Sequence, residues 1–300
     1  MARRVKLASA RALKVIGHGT PVPAAELDHP SRWARPQVRT VAITSGRSGV
    51  GKSHFAANVA VALGQRGARV LLVDGELRQA SLDLLLGVHP RYDLQHWLLG
   101  EQTLDAIVTD GPSNVRLIPA GSGGPELAEL DDYRRECLLR GLGQIEGELD
   151  MILIDTPAGV SAESVALARA CDDVIVMTSP EMSAAADAYA LIKVLHQRGL
   201  TVGPRLVVSM AGSAEEAEET AHRLRLVARR FLRLDIDVLT PVPFDPAIAR
   251  AARLQEPTVT AFPTTPASAA YHAVAERLWG GRETGPESTT VPSVEHRLEA

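Results

Sequence analysis

A strand followed by a glycine-rich loop and a helix is the feature that most constrains this chain. Small apolar and β-branched residues occupy positions 41–44, and residues 46–53 have the spacing Gly-x4-Gly-Lys-Ser. Glycines let the backbone curl so tightly that successive N–H groups point at phosphate oxygens. Apolar residues at helical spacing follow as far as Leu63, so a helix N-terminus adds its dipole at the same place. The pattern predicts a nucleotide-phosphate site.

The residues of this loop have separate predicted tasks. The Lys52 ammonium reaches the β- and γ-phosphates, and the Ser53 hydroxyl is a ligand for Mg²⁺. An accidental glycine-rich turn is the alternative, and the strand before the loop and the helix after it argue against that. The predicted nucleotide contacts are Gly46, Arg47, Ser48, Gly49, Val50, Gly51, Lys52, Ser53 and His54.

Short β-branched runs alternate with longer helical patterns along the rest of the chain. This alternation predicts an α/β fold, a doubly wound and mostly parallel sheet with helices on both faces. Ligands of such sheets bind at the carboxyl ends of the strands, where Asp74 and Asp155 end two of the runs. We therefore expect both carboxylates beside Mg²⁺ and the nucleotide. The predicted strands after the first are residues 70–74, 115–119, 151–155, 173–178, 206–210 and 236–241.

Composition divides the chain into three parts. Residues 1–38 form a basic N-terminal segment and linker, residues 39–279 the nucleotide-binding domain, and residues 280–300 a disordered tail. Within the domain, Asp245 and Thr265 each precede a proline, which predicts an N-cap with proline at the first helical position. Residues 2–16 mix basic and apolar side chains and form either an amphipathic helix, binding a partner or an anionic surface, or a solvated start.

Charge, cysteine content and hydropathy exclude several classes of protein. The formal net charge of -4 over 300 residues excludes attraction of the whole surface to nucleic acid or to anionic membranes. Cys137 and Cys171 form no CxxC pair, as expected in a reducing cytosol. No apolar run approaches the roughly 20 residues that span a bilayer. We expect a cytoplasmic protein that contacts the inner face of the cell membrane only transiently and peripherally.

Three motifs together resemble those of the MinD/ParA family of P-loop ATPases. They are the loop at residues 46–53, the run at residues 74–87, and the sequence Asp155-Thr-Pro-Ala-Gly. Residues 118–123, 179–194 and 243–247 are similar to one branch of that family, the flagellar-number regulators called FlhG or FleN. The similarity covers residues 39–278, which is nearly the whole predicted domain.

The resemblance implies an ATPase that binds ATP with Mg²⁺ and dimerises face to face around two ATP molecules. Such a dimer docks on a membrane or on a protein partner, so an ATP-dependent homodimer and a protein partner are expected here. By the same resemblance, the metal ligands are Ser53, Asp74 and Asp155. The catalytic residues are Lys52, Glu76 and Arg47.

Two loop residues depart from the family pattern. Relatives carry a lysine at the position of Arg47, and that lysine reaches the phosphates of the other subunit. Arg47 keeps the charge but replaces a point donor by a planar fork, in the manner of an arginine finger. Ser48 stands where relatives have glycine, so a side chain lies where the backbone approaches the ligand closely.

Two further departures concern hydrolysis and base recognition. Glu76 stands where relatives carry the aspartate that orients the attacking water. Its carboxylate lies one methylene further out, so low turnover is expected. Ser209 stands where relatives have an asparagine that reads adenine, and a hydroxyl makes one contact where an amide makes two. Adenine recognition then depends on backbone groups at Pro241 and Pro243.

These features lead to one main hypothesis and two alternatives. The main hypothesis is a MinD/ParA-like ATPase switch with ATP-dependent dimerisation and slow hydrolysis, which regulates the placement or number of a cell-surface or motility structure. The first alternative is a nucleotide-gated binding switch with little or no hydrolysis, because residues 47, 48 and 76 change together. The second is a cluster-bridging iron protein, although neither cysteine lies in a glycine-rich loop.

Other basic and terminal features bear on partners. Arg225, Arg229 and Arg233 share one face of a predicted helix, a stripe that would contact DNA phosphates. The alternative is that acids at the start of this helix and bases at its end complement its dipole. Flagellar relatives use an N-terminal glutamine to activate a GTPase and a C-terminal apolar helix to bind membranes. This chain has no glutamine before Gln37 and no apolar face in residues 280–300, so we expect neither.

Overall fold

The computed structural model describes residues 38–77, 79–121, 132–145, 149–200 and 203–280. The predicted N-terminal segment, the linker and residues 281–300 of the predicted tail lie outside these residues, so those predictions stay predictions. The strands are β1 (Arg39–Ser45), β2 (Val70–Asp74), β3 (Thr109–Asp110), β4 (Val115–Ile118), β5 (Met151–Asp155), β6 (Asp173–Thr178), β7 (Arg205–Ala211), β8 (Asp237–Val238) and β9 (Val242–Pro243). The helices are α1 (Lys52–Gln65), α2 (Leu82–Leu86), α3 (Leu94–Leu98), α4 (Leu104–Ile107), α5 (Asp132–Ile145), α6 (Ala162–Ala170), α7 (Met182–Gln197), α8 (Ala214–Leu232), α9 (Pro246–Leu254), α10 (Thr258–Ala261) and α11 (Pro266–Gly280).

The strands form a single mostly parallel sheet, which confirms the predicted fold class. Their order is β3-β4-β2-β5-β1-β6-β7-β8, and β9 pairs with β7. Within the described residues, the pairing of β3 with β4 is antiparallel and every other pairing is parallel. The chain crosses to both sides of β1, so the carboxyl ends of β1, β2 and β5 lie next to one another at one edge of the sheet.

Alternate side chains of the central strands pack against helices on opposite faces. In β1, Ala42 belongs to a core with residues of α3 to α8, whereas Val41 and Ile43 belong to a second core with α1 and α11. Every residue of β2 and β5 is buried. Because both faces of the sheet are covered, these strands consist of nearly continuous apolar residues and do not alternate with polar ones.

The late helices begin where the sequence predicts. The Asp245 carboxylate accepts a hydrogen bond from the Ala247 N–H at 2.8 Å, with Pro246 at the first position of α9. The Thr265 hydroxyl accepts one from the Ser268 N–H at 3.4 Å, at the start of α11. A second bond, from the Ala267 N–H to Asp245 at 3.2 Å, ties the starts of α9 and α11 together.

The sequence prediction is wrong at residues 236–241, which do not form one strand. Asp237–Val238 pair with β7 as β8, and Val242–Pro243 pair with it separately as β9. Pro241, which lies between the two pairings, has no N–H to donate to a ladder. Helix α11 continues to Gly280, just past the predicted end of the domain at residue 279. Among the helices of the described residues, none is long and apolar enough to cross a membrane.

Candidate nucleotide-binding site

The loop between β1 and α1 follows the backbone path that its glycines permit. Gly49 and Gly51 have φ angles of 87° and 81°, in the left-handed region that favours glycine. Gly51 is the N-cap of α1. The Ser45 hydroxyl donates to the Arg47 carbonyl at 2.8 Å and holds the first bend of the loop. The first N–H groups of α1 have no partner within the helix, and a helix N-terminus of this kind is suited to bind a phosphate.

Gly46 is required by a close neighbour. A Cβ at this position would lie 2.2 Å from the carbonyl carbon of Asp187 in α7, closer than real Cβ contacts come. Only glycine therefore lets α7 approach the loop so closely. The first turns of α7 form one wall of the candidate site.

Lys52 and Asp155 form a buried ion pair at the mouth of the loop. The Lys52 Nζ lies 2.6 Å from Asp155 Oδ1, and the two residues are 8% and 0% exposed. The other carboxylate oxygen, Oδ2, is buried without a hydrogen-bond partner among the described residues. An unpaired buried acceptor costs free energy. A cation or a metal-bound water placed beside Asp155 Oδ2 would remove that cost.

Asp74 lies beside Asp155 in the sheet, as expected from the ends of the two strands. The register pairs their Cα positions. Burial raises the pKa of Asp74 to about 7, and the charge on Asp155 adds to the rise. Backbone N–H groups of Leu82, Glu76 and Ser81 oppose the shift by donating to the carboxylate. Two neighbouring acids, of which only Asp155 pairs with Lys52 among the described residues, thus leave a site that favours additional positive charge.

The residues present suit Mg²⁺ better than a metal held wholly by protein. The described residues contain no group of three or more His, Cys, Asp or Glu side chains that could hold a metal ion. Two carboxylates and the Ser53 hydroxyl leave several coordination positions for phosphate and water, which is how Mg²⁺ is usually bound.

Gly75 brings the ends of β2 and β5 together. Its N–H donates to the Asp155 carbonyl at 2.8 Å. A Cβ at this position would lie 2.8 Å from that same carbonyl oxygen, so a larger residue does not fit. The next residue, Glu76, is partly buried, and its carboxylate forms no hydrogen bond or ion pair with the described residues. Glu76 therefore has a carboxylate free to accept from water near the site.

Arg47 contacts the start of α7 within its own chain. Its Nη1 donates to the Ser183 hydroxyl at 2.6 Å and lies 3.5 Å from the Glu181 carboxylate. Its Nε lies 3.9 Å from the Asp187 carboxylate. The N-cap and the first two turns of α7 therefore supply the partners of Arg47.

An apolar cavity of about 230 Å³ lies beside the loop. It is smaller than the roughly 300–1,000 Å³ typical of sites for drug-sized ligands, so it suits one ring system of a nucleotide. Of the predicted base contacts, Ser209 and Pro243 line it and Pro241 does not, while His54 lines it from α1. The walls come from five parts of the chain: residues 50–55, Met177, residues 209–210, residues 242–249 and Tyr271.

Ser209 is bound to the chain itself. Its hydroxyl lies 2.7 Å from the Val50 carbonyl and 3.0 Å from the Thr178 carbonyl, and the residue is 3% exposed. A hydroxyl has one proton, and these two acceptors share it. Ser209 therefore links β7 to the phosphate loop and has no proton left to donate to a base.

Two other cavity residues have distinctive environments. Met210 has a φ of 58°, which is uncommon for a residue other than glycine, and its Cε lies 3.6 Å from the Cβ position built on Gly51. Burial lowers the pKa of His54. The imidazole beside the loop is therefore neutral at neutral pH.

The predicted basic stripe forms only in part. Arg225 and Arg229 lie on α8, but Arg233 is the C-cap residue with a left-handed φ of 53°. The prediction that three arginines share one helical face is wrong for Arg233, because the chain leaves the helix there. Arg229 also pairs with Asp235 at 2.6 Å. The first turn of α8 contains Glu215 and the last turn Arg229, as the dipole alternative predicts.

The two cysteines lie away from the loop region. Cys171 is 4% exposed at the end of α6, and its thiol donates to the Leu167 carbonyl at 3.5 Å. Cys137 is on α5 and is partly buried. A thiolate that bridges two subunits needs an exposed surface position, and Cys171 does not have one.

Residues of the site that the sequence did not indicate include Gly75, Ser183, Met210 and Tyr271. Gly75 carried a signal, because a glycine between two carboxylates at a strand end indicates a close backbone approach. Ser183 and Met210 carried none. Tyr271 lies more than two hundred residues from the loop, and only the packing of α11 against α1 brings it to the cavity.

Comparison with known proteins agrees with this geometry. A family model described as an AAA domain matches residues 38–206, and one described as ParA, NUBPL iron-transfer P-loop NTPase, matches residues 142–279. The antiactivator FleN of Pseudomonas aeruginosa is 33% identical over 241 residues, 80% of this chain and 86% of that protein. The septum site-determining protein MinD of Bacillus subtilis is 31% identical over 252 residues, 80% of this chain and 88% of that protein.

Solved structures show the same similarity. The septum site-determining protein MinD from Pyrococcus horikoshii OT3, complexed with Mg-ADP, superposes with a TM-score of 0.67 at 29% identity. That match covers 80% of this chain and 96% of the other.

Proposed function

This chain belongs to the MinD/ParA family of P-loop ATPases, and we propose that it is an ATP-driven switch that dimerises around Mg-ATP and hydrolyses it slowly. The observation that carries the proposal is the buried cluster of Lys52, Asp74 and Asp155 at the mouth of the loop. One lysine beside two acids, one of which has an unpaired oxygen, is an arrangement that a nucleotide and a divalent cation would complete.

Nucleotide binding redistributes these charges. Lys52 exchanges Asp155 for the β- and γ-phosphates, with the N–H groups at the start of α1 as additional donors. Ser53, Asp74 and Asp155 would hold Mg²⁺, which supplies charge neutralisation at the phosphate oxygens. Asp155 therefore keeps a cationic neighbour in both states. This exchange links occupancy of the site to the ends of β2 and β5.

Glu76 is the residue that we propose orients the attacking water. Its carboxylate has no partner among the described residues, and Glu76 lies two residues after Asp74 along the chain. A carboxylate in reach of water accepts a hydrogen bond from it and directs a lone pair toward the γ-phosphorus. Because its reach exceeds that of aspartate by one methylene, the water is held less tightly and turnover is low.

Arg47 provides the link between nucleotide and dimer. In the single chain its guanidinium is bound to Ser183 and lies near Glu181 and Asp187. In the dimer we propose that it leaves these partners for the phosphates of the other subunit, where a fork of donors stabilises the charge of the transition state. The start of α7 would then lose its contacts with Arg47, so its environment would depend on which nucleotide is bound.

The cellular role follows from the relatives. FleN is named an antiactivator, and MinD a septum site-determining protein. We propose that the ATP-bound dimer binds a protein partner and regulates the placement or number of a cell-surface or motility structure. Its place would be the cytoplasm, with transient peripheral contact at the inner face of the cell membrane. Arg229 already pairs with Asp235, which makes DNA the weaker candidate partner.

Light scattering in ATP and in ADP, together with ATP turnover, tests this function. We expect wild type to be a dimer in ATP, a monomer in ADP, and a slow ATPase. Glu76→Ala should still dimerise in ATP and lose turnover by about 100-fold, whereas the exposed-residue control Glu101→Ala should match wild type. A dimer without turnover in wild type would indicate the nucleotide-gated binding switch. A monomer in both nucleotides would overturn the proposal.

The role of Arg47 has its own matched pair of variants. Arg47→Ala should lower both dimer formation in ATP and turnover, because the guanidinium acts across the interface. Ser183→Ala removes only the acceptor within the chain, so it should leave the dimer fraction equal or higher. If Ser183→Ala weakens the dimer as much as Arg47→Ala does, the contact within the chain is part of the active arrangement and the proposed exchange is wrong.

A further inference from the structure

The base cavity has few side chains that are able to recognise a base. Ser209 has no proton to donate, and its position is set by the Val50 and Thr178 carbonyls. Most of the other walls are apolar, among them Phe55 and Ile248. An apolar cavity holds any aromatic ring, so selection among bases needs a polar group with a free hydrogen-bonding position.

Tyr271 reaches this cavity from α11. The residue is 2% exposed, and its ring meets that of Phe55 edge-on, with centroids 6.1 Å apart and planes at 64°. Phe55 belongs to α1, the helix that starts at the phosphate loop. The phenol is therefore held by the same helix that positions the phosphate contacts.

The Tyr271 hydroxyl is free to bind. It forms no hydrogen bond with any of the described residues, although the side chain is almost fully buried. The Tyr271 hydroxyl is not among the fully enclosed polar atoms of the described residues that lack a partner, so some of its surface remains accessible. Because the residue lines the cavity, the hydroxyl reaches space there. A buried phenol usually has a partner, and this one lacks a protein partner in the described part of the chain.

Asp245 also lines the cavity, and its charge acts on this hydroxyl. Its two carboxylate oxygens accept from the Ala247 and Ala267 N–H groups, at 2.8 and 3.2 Å, so the carboxylate stays ordered beside the cavity. Burial raises the pKa of Tyr271, and the nearby Asp245 charge raises it further, so the phenol keeps its proton. A phenol proton is attracted toward such a negative charge, which leaves the oxygen lone pairs available to a donor in the cavity.

We propose that Tyr271 selects the base, by accepting a hydrogen bond from the exocyclic amine of a 6-aminopurine, adenine, in this cavity. The inference rests on the proposed function, since it names the residue that recognises the base of the same nucleotide. An amine donor meets both the hydroxyl lone pair and the negative field of Asp245. A 6-oxo purine presents an acceptor at the same position, which the site repels.

Titration calorimetry with three nucleotides in the presence of Mg²⁺ tests the assignment. ATP carries the amine, inosine triphosphate carries a carbonyl at the same position, and purine riboside triphosphate carries only hydrogen there. Wild type should bind ATP about tenfold more tightly than purine riboside triphosphate, the effect of one hydrogen bond. It should bind inosine triphosphate more weakly still.

Tyr271→Phe removes only the hydroxyl. It should bind ATP about tenfold more weakly than wild type and purine riboside triphosphate equally well, so the preference disappears. Tyr189→Phe removes a phenol hydroxyl on α7 that does not line this cavity; it is the control, and it should keep the preference. A thermal melt establishes that each variant is folded, and the comparison of ligands on wild type tests the hydrogen bond without any variant.

The outcomes separate the two proposals. If wild type binds ATP but shows no preference for the amine, or if Tyr271→Phe keeps the preference, the assignment of Tyr271 is wrong and the ATPase proposal stands. An equal loss of all three nucleotides in Tyr271→Phe would mean that the phenol only shapes the cavity, which also overturns it. Failure of wild type to bind any of the three would remove the proposed function and this inference together.

Discussion

The two ends of the nucleotide site are built in opposite ways. At the phosphate end, one continuous stretch of chain, residues 46–54, provides most of the proposed contacts, and the ends of β2 and β5 add two carboxylates. At the base end, the cavity is assembled from five separate parts of the chain, and most of its walls are apolar. Backbone conformation and charge determine the first end, and long-range packing determines the second.

The two ends also differ in how well their buried polar and charged groups are paired. The phosphate end contains a buried ion pair, an unpaired oxygen on Asp155 and a raised pKa at Asp74, all of which a bound nucleotide and cation would relieve. The base end holds its Ser209 hydroxyl and its Asp245 carboxylate in bonds to the chain. Ligand binding should therefore change the phosphate end strongly and the base end slightly. The following predictions test that contrast, from the largest expected effect to the smallest.

Lys52→Ala should have the largest effect, because it removes the cation of the phosphate end. We expect ATP turnover to fall by at least about 100-fold, the scale of one electrostatic group in a transition state. Lys193→Ala, at an exposed position on α7, is the matched control and should leave turnover unchanged. Steady-state ATPase assays decide it. Comparable losses of turnover in both variants would mean that turnover depends on the net charge of the protein and not on the position of Lys52.

Gly46→Ala and Gly49→Ala compare two reasons for glycine within one loop. A Cβ added at Gly46 would meet the α7 backbone at 2.2 Å, and we expect a loss of about 3 kcal/mol in the free energy of unfolding. A Cβ at Gly49 meets nothing within 4 Å, so only its positive φ matters and the loss should be about 1 kcal/mol. Urea denaturation measures both. Equal losses in the free energy of unfolding would show that α7 shifts away from the added Cβ at little cost.

Asp74→Asn should stabilise the protein in the absence of Mg²⁺ and nucleotide, because a buried carboxylate beside Asp155 is costly when charged. The pKa of Asp74 is about 7 in the folded chain and near 3.8 when unfolded, so wild type loses stability as the pH rises between these values. The stability gained by the variant should therefore be larger at pH 8 than at pH 5, by on the order of 2 kcal/mol. Denaturation at the two pH values tests this, and a gain independent of pH would contradict it.

Ser209→Ala should have the smallest effect, since it removes one bond at the base end. We expect a loss of about 1 kcal/mol in the free energy of unfolding, because the hydroxyl proton no longer serves the Val50 or Thr178 carbonyl. ATP affinity should change less than it does in Lys52→Ala. A larger loss of affinity than that would place Ser209 in direct contact with the base, and the contrast between the two ends would fail.

Much of the fold followed from local patterns. The apolar runs that end in Asp74 and Asp155 predicted two neighbouring strand ends, and the register pairs those residues. The proline after Asp245 predicted the start of α9. The failures occurred where pairing between distant strands decides the outcome. Residues 236–241 are β-branched enough for a strand, but β7 pairs only with the short pieces on either side of Thr240 and Pro241.

The candidate site divides in the same manner. The loop residues could be located because left-handed glycines, a lysine and a serine act through the conformation of adjacent residues. The partners of Arg47 on α7, the commitment of the Ser209 proton and the arrival of Tyr271 beside Phe55 could not be located. Each depends on which helix packs against which, and no spacing within a single segment encodes that.

The sequence by itself determined that this chain folds as a mostly parallel α/β sheet with a phosphate loop and two acids at the strand ends. Those features follow from backbone torsion, alternation and charge among residues that are neighbours along the chain. Only the tertiary structure decided that Lys52 pairs with Asp155, that α7 holds Arg47, and that α11 brings a phenol to the base cavity. These depend on close packing between distant segments, whose free energy belongs to the assembled core and not to any one of its parts.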